Sequence, residues 1–160
     1  MLRRTINLLK MSMMGIIAAS LAFACVPVCG LVEGVPGKVL SIAVACVFWG
    51  GLILGQVFFW CANDRRKKIQ KKISRAHGSQ KTAIGLFTFG TSKEARLCDL
   101  VCAASLLATI VFNFLQVRNN WLIILNLAIL FLSFHFHCIL NGKTYRYIKT
   151  LYLEKTQRRE

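Results

Sequence analysis

Four long stretches of the sequence are mostly apolar and contain no Asp, Glu, Lys or Arg. Uncharged apolar stretches of about 18 residues or more are typical of helices that cross a membrane. The pattern therefore predicts an all-α integral membrane protein in which residues 1–160 form a single membrane domain. The uncharged stretches are 11–32, 39–63, 100–117 and 119–142. The four predicted spans cover approximately residues 11–32, 39–61, 97–117 and 120–141, so the third span also includes Asp99.

Two of the three connections between these spans are very short. Residues 33–38 join the first two spans, and a turn at 118–120 joins the last two. Connections of this length place consecutive helices side by side and antiparallel. The sequence thus predicts a four-helix bundle made of two antiparallel hairpins, with a basic loop at 62–96 between them and a basic tail at 143–160.

The basic residues are distributed unevenly around the spans. The formal net charge is +15, and 19 of the 21 Lys and Arg residues lie in 1–10, 62–97 and the tail. Only Lys38 and Arg118 lie in the two short connections. Because cytoplasmic loops carry the excess of positive charge, both termini and the long loop are predicted to be cytoplasmic. The short outer connections leave no room for an extracellular domain.

The first span allows two interpretations. Arg3 and Arg4, an apolar run and then Ala-Phe-Ala at 22–24 resemble a signal peptide with its cleavage site. The run stays apolar as far as Val32, which favours a retained spanning helix. Pro27 is predicted to bend this helix or to end it early, because proline cannot donate a backbone hydrogen bond.

The basic stretch at 64–76 is predicted to be an amphipathic helix, since Ile69 and Ile73 are four residues apart and share one helical face. Anionic lipid attracts each Lys or Arg near the membrane surface by about 1 kcal/mol, so anionic membrane lipid is the predicted partner. The alternative is that these charges only orient the spans. Nucleic acid is not predicted as a partner, because no nucleic-acid-binding module fits in this loop. The candidate headgroup ligands are Arg65, Arg66, Lys67, Lys68, Lys71, Lys72 and Arg75.

Short motifs mark the ends of the predicted helices. Thr91 and Glu94 fit a capping box, which predicts the start of the third long helix. The Asn-Gly pair at 141–142 fits a helix C-cap and closes the fourth span. The tail is predicted to form an amphipathic helix along the inner membrane surface, with an apolar stripe of Tyr145, Ile148 and Tyr152.

Small residues predict close helix packing in the first hairpin. Gly51 and Gly55 form a small-x-x-x-small motif, which lets two helix backbones approach closely. The favoured interpretation is that they pack against the first span, and the alternative is self-association through a ridge that also includes Gly50. The first span offers small residues at the same spacing, namely Gly15, Ala18, Ala19 and Ala22.

The turn between the last two spans predicts which residues face each other. A turn centred at 119–120 places Asn113 opposite Asn126 and Cys102 opposite His137. Polar side chains within hydrocarbon prefer to face protein, where interhelical hydrogen bonds contribute about 0.6 kcal/mol on average. Asn113, Asn126 and His137 are therefore predicted to fix the register of the second hairpin.

Cysteine and histidine residues near the inner end raise the possibility of a metal site. Cys98 and Cys102 are four residues apart on the third span, and His135 and Cys138 are three apart on the fourth. These residue types can bind zinc, although cysteines that simply pack as small apolar residues are the favoured interpretation. Since His135 is two residues from His137, it is predicted to face the first hairpin or the lipid headgroups. No catalytic residue and no cofactor is predicted.

Two segments resemble small four-span membrane proteins of Gram-positive bacteria. One is Ser-Lys-Glu-Ala at 92–95 followed by Asp99, and the other is the run at 134–148. The resemblance covers the second half of the chain and concerns a group with no assigned activity. It implies a bacterial plasma membrane and assigns no catalytic residue.

Three hypotheses for function follow from these patterns. The first is a non-enzymatic accessory component that binds lipid, another membrane protein or a second copy of itself. The second is a small transporter or channel subunit that works as an oligomer. The third is a membrane enzyme that uses a metal or thiol at the inner Cys/His residues.

Overall fold

The computed structural model describes residues 2–77 and 93–148, with side chains for 3–69 and 93–148. The described chain is helical and contains no strand. Four of its helices are long and apolar enough to cross a membrane, which confirms the predicted all-α, four-span architecture. The helices are α1 (Leu2–Ala24), α2 (Val26–Cys29), α3 (Gly34–His77), α4 (Lys93–Phe114) and α5 (Asn120–Leu140).

The chain reverses between α1 and α3 earlier than the hydropathy pattern predicts. α1 ends at Ala24, and Pro27 lies in the first turn of the four-residue α2, where its missing N–H costs no helical hydrogen bond. α3 already begins at Gly34, whose φ of 77° glycine adopts readily. Pro36 lies in the first turn of α3, where its missing N–H again costs no helical hydrogen bond. This helix therefore starts five residues before the predicted span.

A single helix contains both the second span and the basic stretch that follows it. α3 has 44 residues, which corresponds to a length of about 66 Å. The hydrocarbon core of a membrane needs only about 20 residues of helix. The basic stretch is therefore a direct continuation of the span, and its backbone is helical as far as His77.

The end of α4 also differs from the predicted span. α4 stops at Phe114, and the next residues close a C-terminal motif in which the Val117 N–H donates to the Phe112 carbonyl. Asn119 then caps α5, because its side-chain oxygen accepts from the N–H of Trp121 at 3.0 Å and of Leu122 at 3.4 Å. At its other end α4 begins at Lys93, close to the predicted start, whereas Thr91 of the predicted capping box lies outside the described residues.

The helices pack in the order α3, α1, α5, α4. α1 lies between α3 and α5, and α4 packs mainly against α5. Phe48 of α3 also approaches Phe131 of α5, with ring centroids 6.0 Å apart. α4 is thus the flanking helix of the bundle.

Burial in this bundle follows residue size rather than polarity. The buried positions are mostly small or hydroxyl-bearing, for example Ala19, Ala128, Ser12 and Ser133. Most large apolar side chains point outward, and Phe114 at the end of α4 is 86% exposed. This is the distribution expected where lipid solvates the large apolar groups and small residues bring helix backbones together.

The two hairpins meet at the end of the bundle that carries most of the basic residues, called here the basic end. Leu9, Ala62 and Ile139 form a buried apolar cluster there, and Tyr145 packs against it. Residues 143–148 are helical, and the Thr144 hydroxyl donates to the Asn63 side-chain oxygen at 3.2 Å. The first turns of the predicted tail helix therefore dock on the bundle, while Tyr152 lies beyond the described residues.

Candidate functional site

The first hairpin is held by direct backbone contact between glycines of α1 and α3. A Cβ atom on Gly15 would lie 2.7 Å from the Gly51 oxygen and 3.0 Å from the Gly55 nitrogen. Ser12, which is fully buried, donates from its hydroxyl to the Gly55 carbonyl at 2.7 Å. A side chain larger than hydrogen is therefore excluded at Gly15 and at Gly51.

Gly50 lies on a different face from its two neighbours in the motif. Among the residues that the structure describes, none has an atom within 4 Å of a Cβ atom placed on Gly50, whereas Gly51 and Gly55 contact α1. The structure thus brings Gly51 and Gly55 to the internal contact and leaves Gly50 facing outward. A self-association ridge made of all three glycines is incompatible with this packing.

The contact between α4 and α5 depends on Asn126. Its side-chain amide donates to the Thr109 hydroxyl at 2.9 Å and to the Ser105 carbonyl at 3.1 Å. Asn126 therefore lies opposite Thr109, one helical turn away from the predicted partner Asn113. Asn113 instead lines a cleft at the end of the bundle near the α4–α5 turn.

At the basic end, α5 meets α4 through a cluster of three polar residues. The ring Nδ1 of His137 bonds to the Asp99 carboxylate, and the Asn141 amide donates to the same carboxylate oxygen at 3.1 Å. With Asp99 ionised, this bond requires the proton on Nδ1, because a carboxylate can only accept. His137 thus pairs with Asp99 rather than with Cys102, which is again about one helical turn from the predicted register.

The polar cluster compensates a carboxylate that is largely withdrawn from solvent. The Asp99 side chain is only 9% exposed, and burying a charge is costly unless it is paired and hydrogen-bonded. Both His137 and Asn141 supply such bonds. The spacing argument misses Asp99 as a site residue, although it is the only acidic residue within the four predicted spans.

The four candidate metal ligands do not form one site. His135 donates from Nδ1 to the Phe131 carbonyl, 2.8 Å away. It lies beside Ser12 and Gln56 of the first hairpin, which is one of the two surroundings that its spacing from His137 predicts. Within the described residues, no group of three or more His, Cys, Asp or Glu side chains is placed to hold a metal ion. Cys98, Cys102 and Cys138 all have free thiols.

The basic residues at the end of α3 divide between two faces. Arg65, Lys67 and Lys68 are exposed, and the Lys68 ammonium lies 2.8 Å from the Asp64 carboxylate. Arg66, also a predicted headgroup ligand, is only 9% exposed and so lies on a different face of the helix from these three residues. It follows Ala62 by four residues, so both lie on the helix face that packs against the bundle.

The remaining predicted headgroup ligands fall outside the side chains that the structure describes. These residues are Lys71, Lys72 and Arg75, whose backbone continues α3. Tyr145, in the tail, lies at the same end of the bundle. Burial, and then the negative charge of Glu94, raise the pKa of its hydroxyl, so it stays neutral at physiological pH.

No protein-family model, no curated protein and no solved structure shows significant similarity to this chain.

Proposed function

We propose that this chain is a small non-enzymatic component of a bacterial plasma membrane, with both termini in the cytoplasm, whose basic end binds anionic lipid headgroups. The observation that carries the proposal is the set of exposed basic residues on α3. Arg65, Lys67 and Lys68 follow the buried Ala62 within two turns of the same helix. They therefore begin where the apolar part of the helix ends.

The position of these charges along α3 supports contact with lipid headgroups. The headgroup layer adds about 6 Å on each side of the hydrocarbon, which corresponds to about four residues of helix. Arg65 to Lys68 occupy this distance after the last apolar turn. Each basic residue near an anionic surface contributes about 1 kcal/mol of attraction, and long side chains can reach back to the phosphate layer.

The ion pair within the site leaves its positive charge available. Lys68 and Asp64 are four residues apart on one helix, and both side chains are more than half exposed. Exposed pairs of this type contribute only about 0.3–0.5 kcal/mol. A lipid phosphate can therefore compete with Asp64 for Lys68.

Native mass spectrometry of the full chain tests the proposal. The protein is released from nanodiscs that contain equal amounts of phosphatidylglycerol and phosphatidylcholine, and the lipids that remain bound are counted. Wild type is expected to retain more phosphatidylglycerol than phosphatidylcholine. The triple variant Arg65→Gln, Lys67→Gln, Lys68→Gln should lose most of this enrichment because the phosphate loses its counter-charges.

A charge-conserving variant is the matched control for this experiment. The substitutions Arg65→Lys, Lys67→Arg and Lys68→Arg alter the same three positions and keep the net charge. This variant should retain the enrichment. Equal retention of both lipids by wild type, or unchanged enrichment in the neutralised variant, would contradict the proposal.

A second candidate function is supported by the polar residues between α4 and α5. Asp99 and His137 lie at the basic end, and Asn126 and Thr109 lie nearer the other end of the same interface. Ionisable groups within spanning helices often belong to ion or proton pathways. A small transporter or channel subunit would use this interface as part of its path.

Proton flux into proteoliposomes tests this alternative. If the path follows the α4–α5 interface, wild type should carry protons and His137→Gln should stop the flux. His135→Gln is the control, because His135 faces the first hairpin instead. A wild-type flux equal to that of empty liposomes would exclude the transporter function for protons.

A further inference from the structure

We propose that the cleft at the α4–α5 turn binds the headgroup of one anionic phospholipid, in the leaflet opposite the basic end. The cleft has a volume of about 520 Å³. It opens between the last turns of α4 and the first turns of α5. Its lining combines a cation, side-chain amides and apolar walls, which is the combination that an anionic amphiphile requires.

The charge of the cleft lining selects for an anion. Among the described residues that line the cleft, Arg118 is the only charged one. A guanidinium group forms strong charge-assisted hydrogen bonds with phosphate oxygens. With no acidic side chain in the lining to neutralise it, Arg118 suits a lipid phosphate.

The remaining lining residues match the parts of a lipid next to the phosphate. Asn113 and Gln116 place amides beside Arg118, where they can bond to glycerol hydroxyl or ester oxygens. Phe112, Ile123 and Leu127 provide an apolar wall for the upper part of an acyl chain. A soluble phosphate would leave this apolar wall uncovered, so a phospholipid is the better occupant.

Gln116 occupies a backbone conformation that does not suit its side chain. It has a φ of 50° and stands at the position after a helix end where glycine is most common. A residue with a Cβ atom costs about 1 kcal/mol or more in this left-handed conformation. Gln116 therefore combines a strained backbone with a place in the cleft lining, and such strain is concentrated at binding sites.

Hydrogen bonds on both sides of the cleft hold it in shape. Asn126 is fixed at its base by Thr109 and Ser105, and Asn119 caps the start of α5 beside Arg118. A cleft that is already formed loses little conformational entropy when it binds. α4 has 22 residues and is about 33 Å long, so the turn lies at the level of the lipid headgroups.

Trp121, two residues from Ile123 and 47% exposed, can report on lipid near this cleft. The full chain with Trp49→Phe and Trp60→Phe keeps Trp121 as its single tryptophan. It is placed in nanodiscs that contain phosphatidylglycerol and phosphatidylcholine, with bromine on the acyl chains of one lipid or the other. Brominated phosphatidylglycerol is expected to quench Trp121 with an apparent affinity about fivefold higher than that of the brominated phosphatidylcholine.

Three variants separate a built site from general charge attraction. Arg118→Gln should abolish the preference, and Gln116→Gly should reduce it while the thermal unfolding midpoint stays the same or rises. Lys38→Gln removes the other basic residue of this side, outside the cleft, and should leave the preference unchanged. Soluble glycerol phosphate should not displace the lipid.

Three results would contradict the proposal of a lipid site in the cleft. One is equal quenching of wild type by both brominated lipids. Another is a preference that survives Arg118→Gln. The third is an equal loss in Lys38→Gln and Arg118→Gln, which would show attraction by net charge alone.

Discussion

At the scale of single residues, the packing of this protein depends on glycines, which have no Cβ atom to separate two helix backbones. Gly15 and Gly51 let the backbones of α1 and α3 touch, and the buried hydroxyl of Ser12 bonds across the same crossing. Without a hydrophobic driving force between helices in lipid, close van der Waals contact and hydrogen bonds supply the stability. The largest side chains therefore contribute mainly by facing lipid.

We predict that Gly51→Ala destabilises the first hairpin. The new Cβ atom would lie 2.6 Å from the Gly15 oxygen and 3.0 Å from the Ala19 nitrogen, so the helices must move apart. Overpacking of this kind costs about 1–3 kcal/mol. The measurement is the free energy of unfolding in mixed detergent micelles.

Gly50→Ala is the matched control for this prediction. It adds the same atom one position earlier on α3, where nothing lies within 4 Å. Its unfolding free energy should change by less than about 1 kcal/mol. If the two variants lose equal stability, the α1–α3 crossing is not where the structure places it.

At the scale of elements, the helices are predictable from the sequence and their ends are only partly so. Four uncharged apolar runs suffice to predict four spanning helices, because a bilayer accepts little else. The end of α4 depends on Gln116 taking a left-handed conformation, which no hydropathy pattern indicates. Ending α4 at Phe114 moves the centre of the turn, and this shifts the partners of Asn126 and His137 by about one helical turn.

The observed register of α4 and α5 predicts that substitution of Asn126 lowers stability more than substitution of Asn113. Asn126→Leu removes two interhelical hydrogen bonds, to Thr109 and Ser105, and should lower the unfolding free energy by about 1 kcal/mol. Asn113→Leu removes none of these bonds and should have a much smaller effect. The same detergent unfolding assay compares them. A larger loss for Asn113→Leu would favour the register in which the two asparagines meet.

The candidate site at the basic end is also only partly predictable from the sequence. Charge patterning indicates the exposed Arg65, Lys67 and Lys68, since hydrophilic residues after a span must reach water or headgroups. It does not separate Arg66 from them, because that distinction requires knowing which face of α3 is buried in the bundle. The Asp99–His137 pair depends on the turn geometry and on the tertiary contact of α4 with α5.

At the scale of the whole molecule, α3, α1 and α5 form a packed group and α4 flanks it. The basic residues concentrate at one end of this assembly, and the α4–α5 cleft lies at the other. The two ends therefore face different leaflets. The proposed headgroup contacts at the basic end and the proposed cleft site are independent of each other, so each can fail without the other.

We predict from the charge distribution that the basic end is cytoplasmic. Nineteen of the 21 basic residues lie in segments on that side. Reporter fusions after Ile73 and after Gln157 should both show a cytoplasmic location, and a fusion within the turn at Arg118 should show an external one. An external signal from either of the first two fusions would contradict the predicted topology.

The central claim is that anionic lipid binds at the basic end of α3, and Trp60 tests it most directly. This side chain is 72% exposed and lies five residues before Arg65. With Trp49→Phe and Trp121→Phe, its fluorescence is measured in nanodiscs with brominated phosphatidylglycerol or brominated phosphatidylcholine. Stronger quenching by phosphatidylglycerol, lost when Arg65, Lys67 and Lys68 become Gln, is the predicted result. Equal quenching by the two lipids in the protein that retains these charges would contradict the claim.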